Sequence, residues 1–166
     1  MNAKTSKSAH KHVFSKIYFD SIRILEAAEI ITNESADYEL SILGKTNILN
    51  SDQNKGQINT GIAIKDHLSK ITKVAMECDY FFNPEIGYIF IIGPLSSIFL
   101  DDLEGKSLGT ISAGPYGILR GLGISQMEAS AHLKGLKKGG YLLIARGYNN
   151  DIDTLENVMG IKAIKI

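Results

Sequence analysis

The 166-residue chain predicts an α+β sandwich, and three observations lead there. Short runs rich in β-branched and aromatic residues, Val13–Phe19, Tyr38–Leu43, Gly87–Ile92 and Tyr141–Ala145, have the character of strands. Between them lie segments whose apolar residues recur every three or four positions, the spacing of one helix face. Apolar residues make up 44% of the sequence, an ordinary share for a globular domain able to bury a substantial core.

The chain opens on a polar segment, 1–12, with lysines at 4, 7 and 11 and no acid before Asp20. It is expected to be a flexible tail ahead of a single domain spanning 13–166. His10 and His12 stand two apart in it, but two histidines do not complete a zinc shell. Val13–Phe19 reads as the first strand. Asp20 can cap a helix running to about Thr32, with Ile24, Leu25, Ala28 and Ile31 as its inward stripe. In Tyr38–Leu43 polar Glu39 and Ser41 alternate with Leu40 and Ile42, as in a half-exposed strand. The polar, asparagine-rich stretch 44–56 reads as a loop. From Thr60, the residues Ile64, Leu68, Ile71 and Ala75 fall at helical spacing, with charged residues largely opposite and His67 facing solvent.

Tyr80–Leu100 is the most apolar part of the chain, punctuated by Asn83, Pro84, Gly87 and Gly93-Pro94. That leaves Gly87–Ile92 as a buried strand and Ser96 as the start of a short helix. Small residues then recur every fourth position, at Gly105, Gly109, Ala113, Gly117 and Gly121. This spacing predicts a helix face stripped of side chains, against which another backbone can pack. Glycine costs a helix about 1 kcal/mol relative to alanine, so its repetition calls for a packing reason. The segments at about 58–78 and 96–122 are expected to form a helical insertion. Ser125 and Glu128 make a capping box for a helix ending near Gly139-Gly140, with Lys137 and Lys138 at its negative end. Tyr141–Ala145 is the next strand, Asp153–Met159 is helical in pattern, and Ile161–Ile166 alternates like an edge strand guarded by lysines.

The charge balance narrows the partners. Eighteen basic and eighteen acidic residues leave a net charge of zero, so no global field draws nucleic acid, and none is expected. Low net charge favours self-association, and a homo-oligomer or a protein partner is expected. The longest uncharged run, Ile86–Leu100, is shorter than the ~20 residues of a spanning helix and contains Pro94. Peripheral contact with a membrane stays open. The single cysteine, Cys78, excludes an intrachain disulfide, and the first residues lack the apolar core of a secretory signal. The expected location is the cytoplasm.

Several motifs come close to a chemistry without completing it. Gly105-Lys106-Ser107 looks like the end of a phosphate-binding loop, but Leu100 stands where that loop needs its first glycine. Gly121-Leu122-Gly123 lacks the third glycine of a dinucleotide turn, since Gln126 occupies its place. Asp101, Asp102 and Glu104 do not have the spacing of a calcium loop. Cys78 is followed by an acid rather than a cation, which predicts an inert thiol. Glu128 and His132 lie one helical turn apart, with no third partner near in sequence. No metal, cofactor or enzymatic activity is therefore expected. Were the chain to bind a small molecule, the expected pocket lies between sheet and helices, near Tyr88, Phe90, Tyr116 and His132.

The same residues carry a resemblance. "IYFD", an amphipathic helix, "YELSILGK", "PEIGYIFIIGPL", a glycine-spaced segment and "GLGISQMEASAHLKGLKKGGYLLIA" follow in an order that resembles the bacterial general-stress-protein-like domain family of unknown function. Gly93-Pro94 is similar to its glycine-proline step, Gly123–Ala129 to its helix start, Gly139–Leu143 to its strand start and Gly160–Ile164 to its ending. The resemblance covers most of Phe14–Ile164 and consists of packing motifs; the charged helix at Ile64–Ala75 departs from the apolar, glycine-rich stretch usual there. It implies a ferredoxin-like sandwich, βαβ followed by β, helices and β, with an inserted glycine-rich helical segment. It also implies a loose association with stress and supplies no catalytic residue. Two functions are then expected as alternatives. One is a non-enzymatic stress-associated protein acting by self-assembly or protein binding through the glycine face. The other is a small-molecule-binding sensor with its pocket between sheet and helices.

Overall fold

The computed structural model describes residues 11–34, 37–46, 55–148, 155–157 and 159. In chain order they form β1 (Lys11–Tyr18), α1 (Ser21–Glu34), β2 (Glu39–Thr46), α2 (Lys55–Thr72), β3 (Cys78–Asn83) and β4 (Gly87–Ile92). After these come α3 (Ser96–Phe99), a small hairpin of β5 (Asp102–Leu103) and β6 (Lys106–Ser107), and a 3-10 turn at Leu108–Thr110. The described elements end with α4 (Gly114–Gly121), α5 (Gln126–Lys137) and β7 (Tyr141–Tyr148). The expected tail at 1–10, most of the loop at 44–56 and the strand at Ile161–Ile166 lie outside the described residues. Within the expected Asp153–Met159 helix, residues 155–157 are helical.

The class is α+β, as the alternation of strand and helix patterns predicts. Five strands pair antiparallel throughout in the order β1-β7-β2-β4-β3. Taken alone, β2, β3, β4 and β7 have the order of a ferredoxin-like sheet, with β1 added on the outer side of β7. The first strand begins at Lys11 rather than Val13, so the last two residues of the expected tail already belong to the sheet. Segment 58–78 is no insertion, because α2 is the crossover that carries the chain from β2 to β3. It ends at Thr72, with Lys73 in the left-handed region at φ 59° and Ala75 exposed beyond it.

The sheet is covered on both faces. On the first, Ile24, Ala28 and Ile31 of α1 and Ile64 and Leu68 of α2 pack on Ile42, Phe90, Ile92, Leu143 and Ala145. On the second, Phe99, Leu119, Ala129 and Leu136 pack on Leu43, Ile91, Leu142 and Ile144. Burial on both sides explains why "YIFII" and "YLLIA" read as unbroken apolar runs rather than alternating ones. Each fully buried leucine, isoleucine or phenylalanine among them contributes about 1.5–3 kcal/mol relative to leaving it exposed. The connection from β4 to β7 thus runs on the face opposite to α2, and it has the opposite hand.

Local chemistry sets the element ends. The Asp20 carboxylate accepts the Ile22 backbone N–H at 2.8 Å and so caps α1. Ser125 Oγ accepts the Glu128 N–H at 3.2 Å, the N-cap half of the expected capping box, while the Glu128 carboxylate takes a bond from Ser125 Oγ at 3.1 Å. At the other end of α5 the Gly140 N–H bonds to Gly135 O and the Gly139 N–H to Leu136 O, both at 2.9 Å. This is a Schellman ending, with Gly139 at φ 98° in the left-handed position. Strand β3, "CDYFFN", escapes the sequence reading because it is an edge strand with Phe82 exposed and a polar residue, Asn83, fully buried. Asn83 is satisfied on both ends of its amide. It donates to Gly109 O and Ile111 O at 2.9 and 3.1 Å and accepts from Glu85 N and Ile86 N at 2.9 and 3.2 Å.

The glycine series does not form one helix face. Gly105 and Glu104, at φ 85° and 52°, are the two left-handed residues of the β5–β6 turn. Gly109 lies in the 3-10 turn, Ala113 is the N-cap of α4, Gly117 lies inside α4 and Gly121 ends it. Pro115 in the first turn of α4 fixes where that helix can begin, well after Gly105. A side chain at Gly105, Gly117 or Gly121 would meet nothing within 4 Å, whereas one at Gly109 would strike the Phe81 ring at 2.8 Å. Four-residue spacing here collects positions with separate local reasons, so the expected packing face is replaced by independent contacts.

Candidate functional site

At one end of the sheet β2 finishes, β7 begins and the amino-terminal part of α2 overhangs. Strand parity puts Gly44 and Thr46 of β2 on the face that α2 covers, beside Phe90 of β4 and Tyr141 of β7. Gly44 has no side chain, so the rings of Phe90 and Tyr141 lean over it with centroids 6.2 Å apart and planes at 47°. An added Cβ would lie 2.5 Å from the Phe90 ring and 2.8 Å from that of Tyr141. Gly61 on α2 likewise allows the helix to approach, since a Cβ there would sit 3.3 Å from Phe90. Small residues on strand and helix thus make room for an aromatic floor.

Above that floor is a cavity of about 380 Å³, lined by Thr60, Phe90, Tyr141, Thr46 and the turn 137–139 that ends α5, with Lys45 at its edge. The volume is within the usual range of small-molecule sites. Thr46 is only 3% exposed, and its hydroxyl is buried with no hydrogen-bond partner. A buried hydroxyl left unmatched costs about 1–3 kcal/mol, which makes it an exception in a folded chain. Lys45 Nζ donates to Lys137 O at 3.2 Å, tying the strand end to the carboxyl end of α5. Burial, helped by the nearby Asp20 carboxylate, pushes the Tyr141 phenol above its ordinary pKa, so it stays a neutral hydroxyl. Two further grooves, of about 240 and 440 Å³, lie at the other end of the sheet around Val74, Met76 and Pro94.

The structure divides the four residues expected to share a pocket. Phe90 forms the cavity floor. Tyr88 is on the same face of β4, but it packs against Phe82 with ring centroids 4.9 Å apart. Tyr116 and His132 belong to the opposite side of the sheet, in α4 and α5, and cannot meet Phe90. The sequence reading missed Gly44, Lys45, Thr46 and Thr60. The signal that could have flagged them is a glycine inside a strand, Gly44, together with the lysine pair at the end of α5. Among the described residues no group of three or more histidine, cysteine or acidic side chains is placed to hold a metal. Cys78 is half-buried, and burial pushes its thiol pKa up, away from the reactive thiolate. His67, expected to face solvent, is half-buried with an unpartnered Nε2.

His132 has a different partner from the one its sequence neighbours suggest. Its Nε2 lies 2.8 Å from Ser15 Oγ of β1, and the residue is 7% exposed. Desolvation lowers its pKa below the ordinary 6.5, outweighing the opposite pull of Glu128. The neutral ring is therefore the folded form. Because the unfolded chain binds the proton more readily, stability is full above pH 6.5 and falls as pH drops from there toward the folded pKa. Urea midpoints measured across this window are expected to decline with acid, and His132→Gln to flatten that decline. An unchanged slope in the variant would remove His132 as its source.

No described helix is long and apolar enough to cross a membrane. Searches for relatives of the chain find no matching family model, no matching curated protein and no matching solved structure.

Proposed function

We propose that the chain is a small-molecule-binding domain whose ligand occupies the cavity between α2 and the end of the sheet. The observation that carries this reading is the Thr46 hydroxyl, buried and unpartnered in the wall of a cavity floored by two aromatic rings. A ligand that displaces the cover of Thr46 can satisfy its hydroxyl, which is closed to solvent in the free chain, and the half-buried Tyr141 ring gives it an apolar surface. A cavity between sheet and helix supports the sensor reading over assembly. Assembly through a glycine face is less favoured, because the five small residues share no helix face.

The test is native mass spectrometry of freshly purified protein, run beside a thermal-shift screen of small metabolites, on the wild type and on Thr60→Trp. The tryptophan fills the cavity from the α2 side. A one-to-one adduct or a stabilising compound is expected for the wild type and lost in the variant. Binding that is indifferent to Thr60→Trp, or no adduct and no stabilising compound at all, would overturn the reading.

A further inference from the structure

We infer that the occupant of this cavity is a small organic polyanion, its phosphate or carboxylate groups among Lys45, Lys137 and Lys138 and its uncharged part on Phe90 and Tyr141. The inference rests on the cavity being a ligand site. Its ground is the charge of the wall. Among the described residues three lysines line the cavity and no carboxylate does, although the Asp20 carboxylate stands near Tyr141. Among the described residues, none of the three forms an ion pair.

The end of α5 gives these lysines a partial reason to be there. A helix carboxyl end carries roughly half a unit of negative charge, and Lys45 already bonds one of its carbonyls. Three full positive charges exceed that half unit and the Asp20 carboxylate together by roughly one and a half units, which leaves the rim cationic. All three side chains are solvent-exposed, whereas Phe90 and Thr46 are buried beneath them. The site is therefore polarised from a charged, wet rim to an apolar floor. A ligand matching it has an anionic end and a flat or apolar end. Lysines present point charges rather than the two-pronged fork of arginine, so they accept phosphate and carboxylate alike.

Four probes separate the possibilities when titrated into the full chain and followed by backbone amide shifts in NMR: phenyl phosphate, inorganic pyrophosphate, citrate and phenol. Phenyl phosphate is expected to shift Thr46, Gly139 and Tyr141, with an affinity that weakens as salt is raised. The double variant Lys137→Gln, Lys138→Gln changes exposed side chains and is expected to keep its spectrum elsewhere while losing about tenfold or more in affinity. Thr46→Val keeps the shape and is expected to lose about fivefold. If citrate binds more tightly than the two phosphates, the anion is confirmed with carboxylate as its source; the reverse order assigns phosphate. If phenol shifts these amides while the three anions do not, the polyanion is overturned and the cavity remains a ligand site. If none of the four shifts them, both the polyanion and the ligand site fall.

Discussion

Gly93→Ala is expected to lose about 4 kcal/mol of folding stability, enough to leave much of the protein unfolded or insoluble. Two costs add at this position. Gly93 has φ 104°, where a residue with a Cβ is strained by about 1–3 kcal/mol. The added carbon would also stand 2.3 Å from the carbonyl oxygen of Leu40 and 2.8 Å from Ser41 Oγ. The first of these is backbone in a central strand and cannot swing aside, so the overpacking adds about 1–3 kcal/mol more. Ser41 Oγ in turn accepts the Leu95 N–H at 3.1 Å, the bond that fixes the exit of the chain from β4 toward α3. Equilibrium urea unfolding measures the loss. A cost under about 1 kcal/mol would contradict the close approach of Gly93 to β2.

Gly44→Ala is expected to cost about 2 kcal/mol and to abolish the proposed ligand binding, a larger effect on it than any change at the lysine rim. The new methyl would overlap the Phe90 ring at 2.5 Å. Phe90 is 1% exposed and hemmed in by α2, so its ring moves only by displacing its neighbours or tipping into the cavity. A second change that shortens that side chain relieves the overlap. Phe90→Leu alone is expected to destabilise, and in combination with Gly44→Ala to cost less than the sum of the two. A double-mutant cycle on unfolding free energies reads this coupling. Strict additivity would show that the methyl does not meet the ring.

Much of the fold was legible because burial writes itself into residue type. The doubly covered strands β4 and β7 stand out as apolar runs, and α1 and α5 carry caps at their starts, Asp20 and Ser125, that the structure uses as expected. What failed did so for physical reasons. β3 holds a buried Asn83 and an exposed Phe82, the reverse of what polarity predicts, because the amide serves four backbone groups across a turn. The glycines from 105 to 121 keep a helical spacing although a hairpin turn, a 3-10 turn and a short helix share them. The pocket was half visible. Phe90 was among its expected residues, but strand parity and the choice of face, which decide whether Tyr88, Tyr116 and His132 can join it, are properties of pairing rather than of composition. Lys137 and Lys138 stand at the negative end of α5, and only the arrival of Lys45 from β2 makes the three a charged rim.

The place of β7 in the sheet bears on how the protein is made. β1 pairs along its whole length with β7, Lys11 opposite Tyr148 and Tyr18 opposite Tyr141, so the first of the described strands is held by the last of them. During translation β1 has to wait through α1, β2, α2, β3, β4 and the long connection before its partner leaves the ribosome. Phe14, Ile17 and Tyr18 spend that interval without the cover they finally receive. Contacts so distant in sequence close late and slow the rate-limiting step of folding. The nascent chain is consequently most exposed to aggregation, and most in need of a chaperone, in the interval before residues 141–148 emerge and fill the slot between β1 and β2.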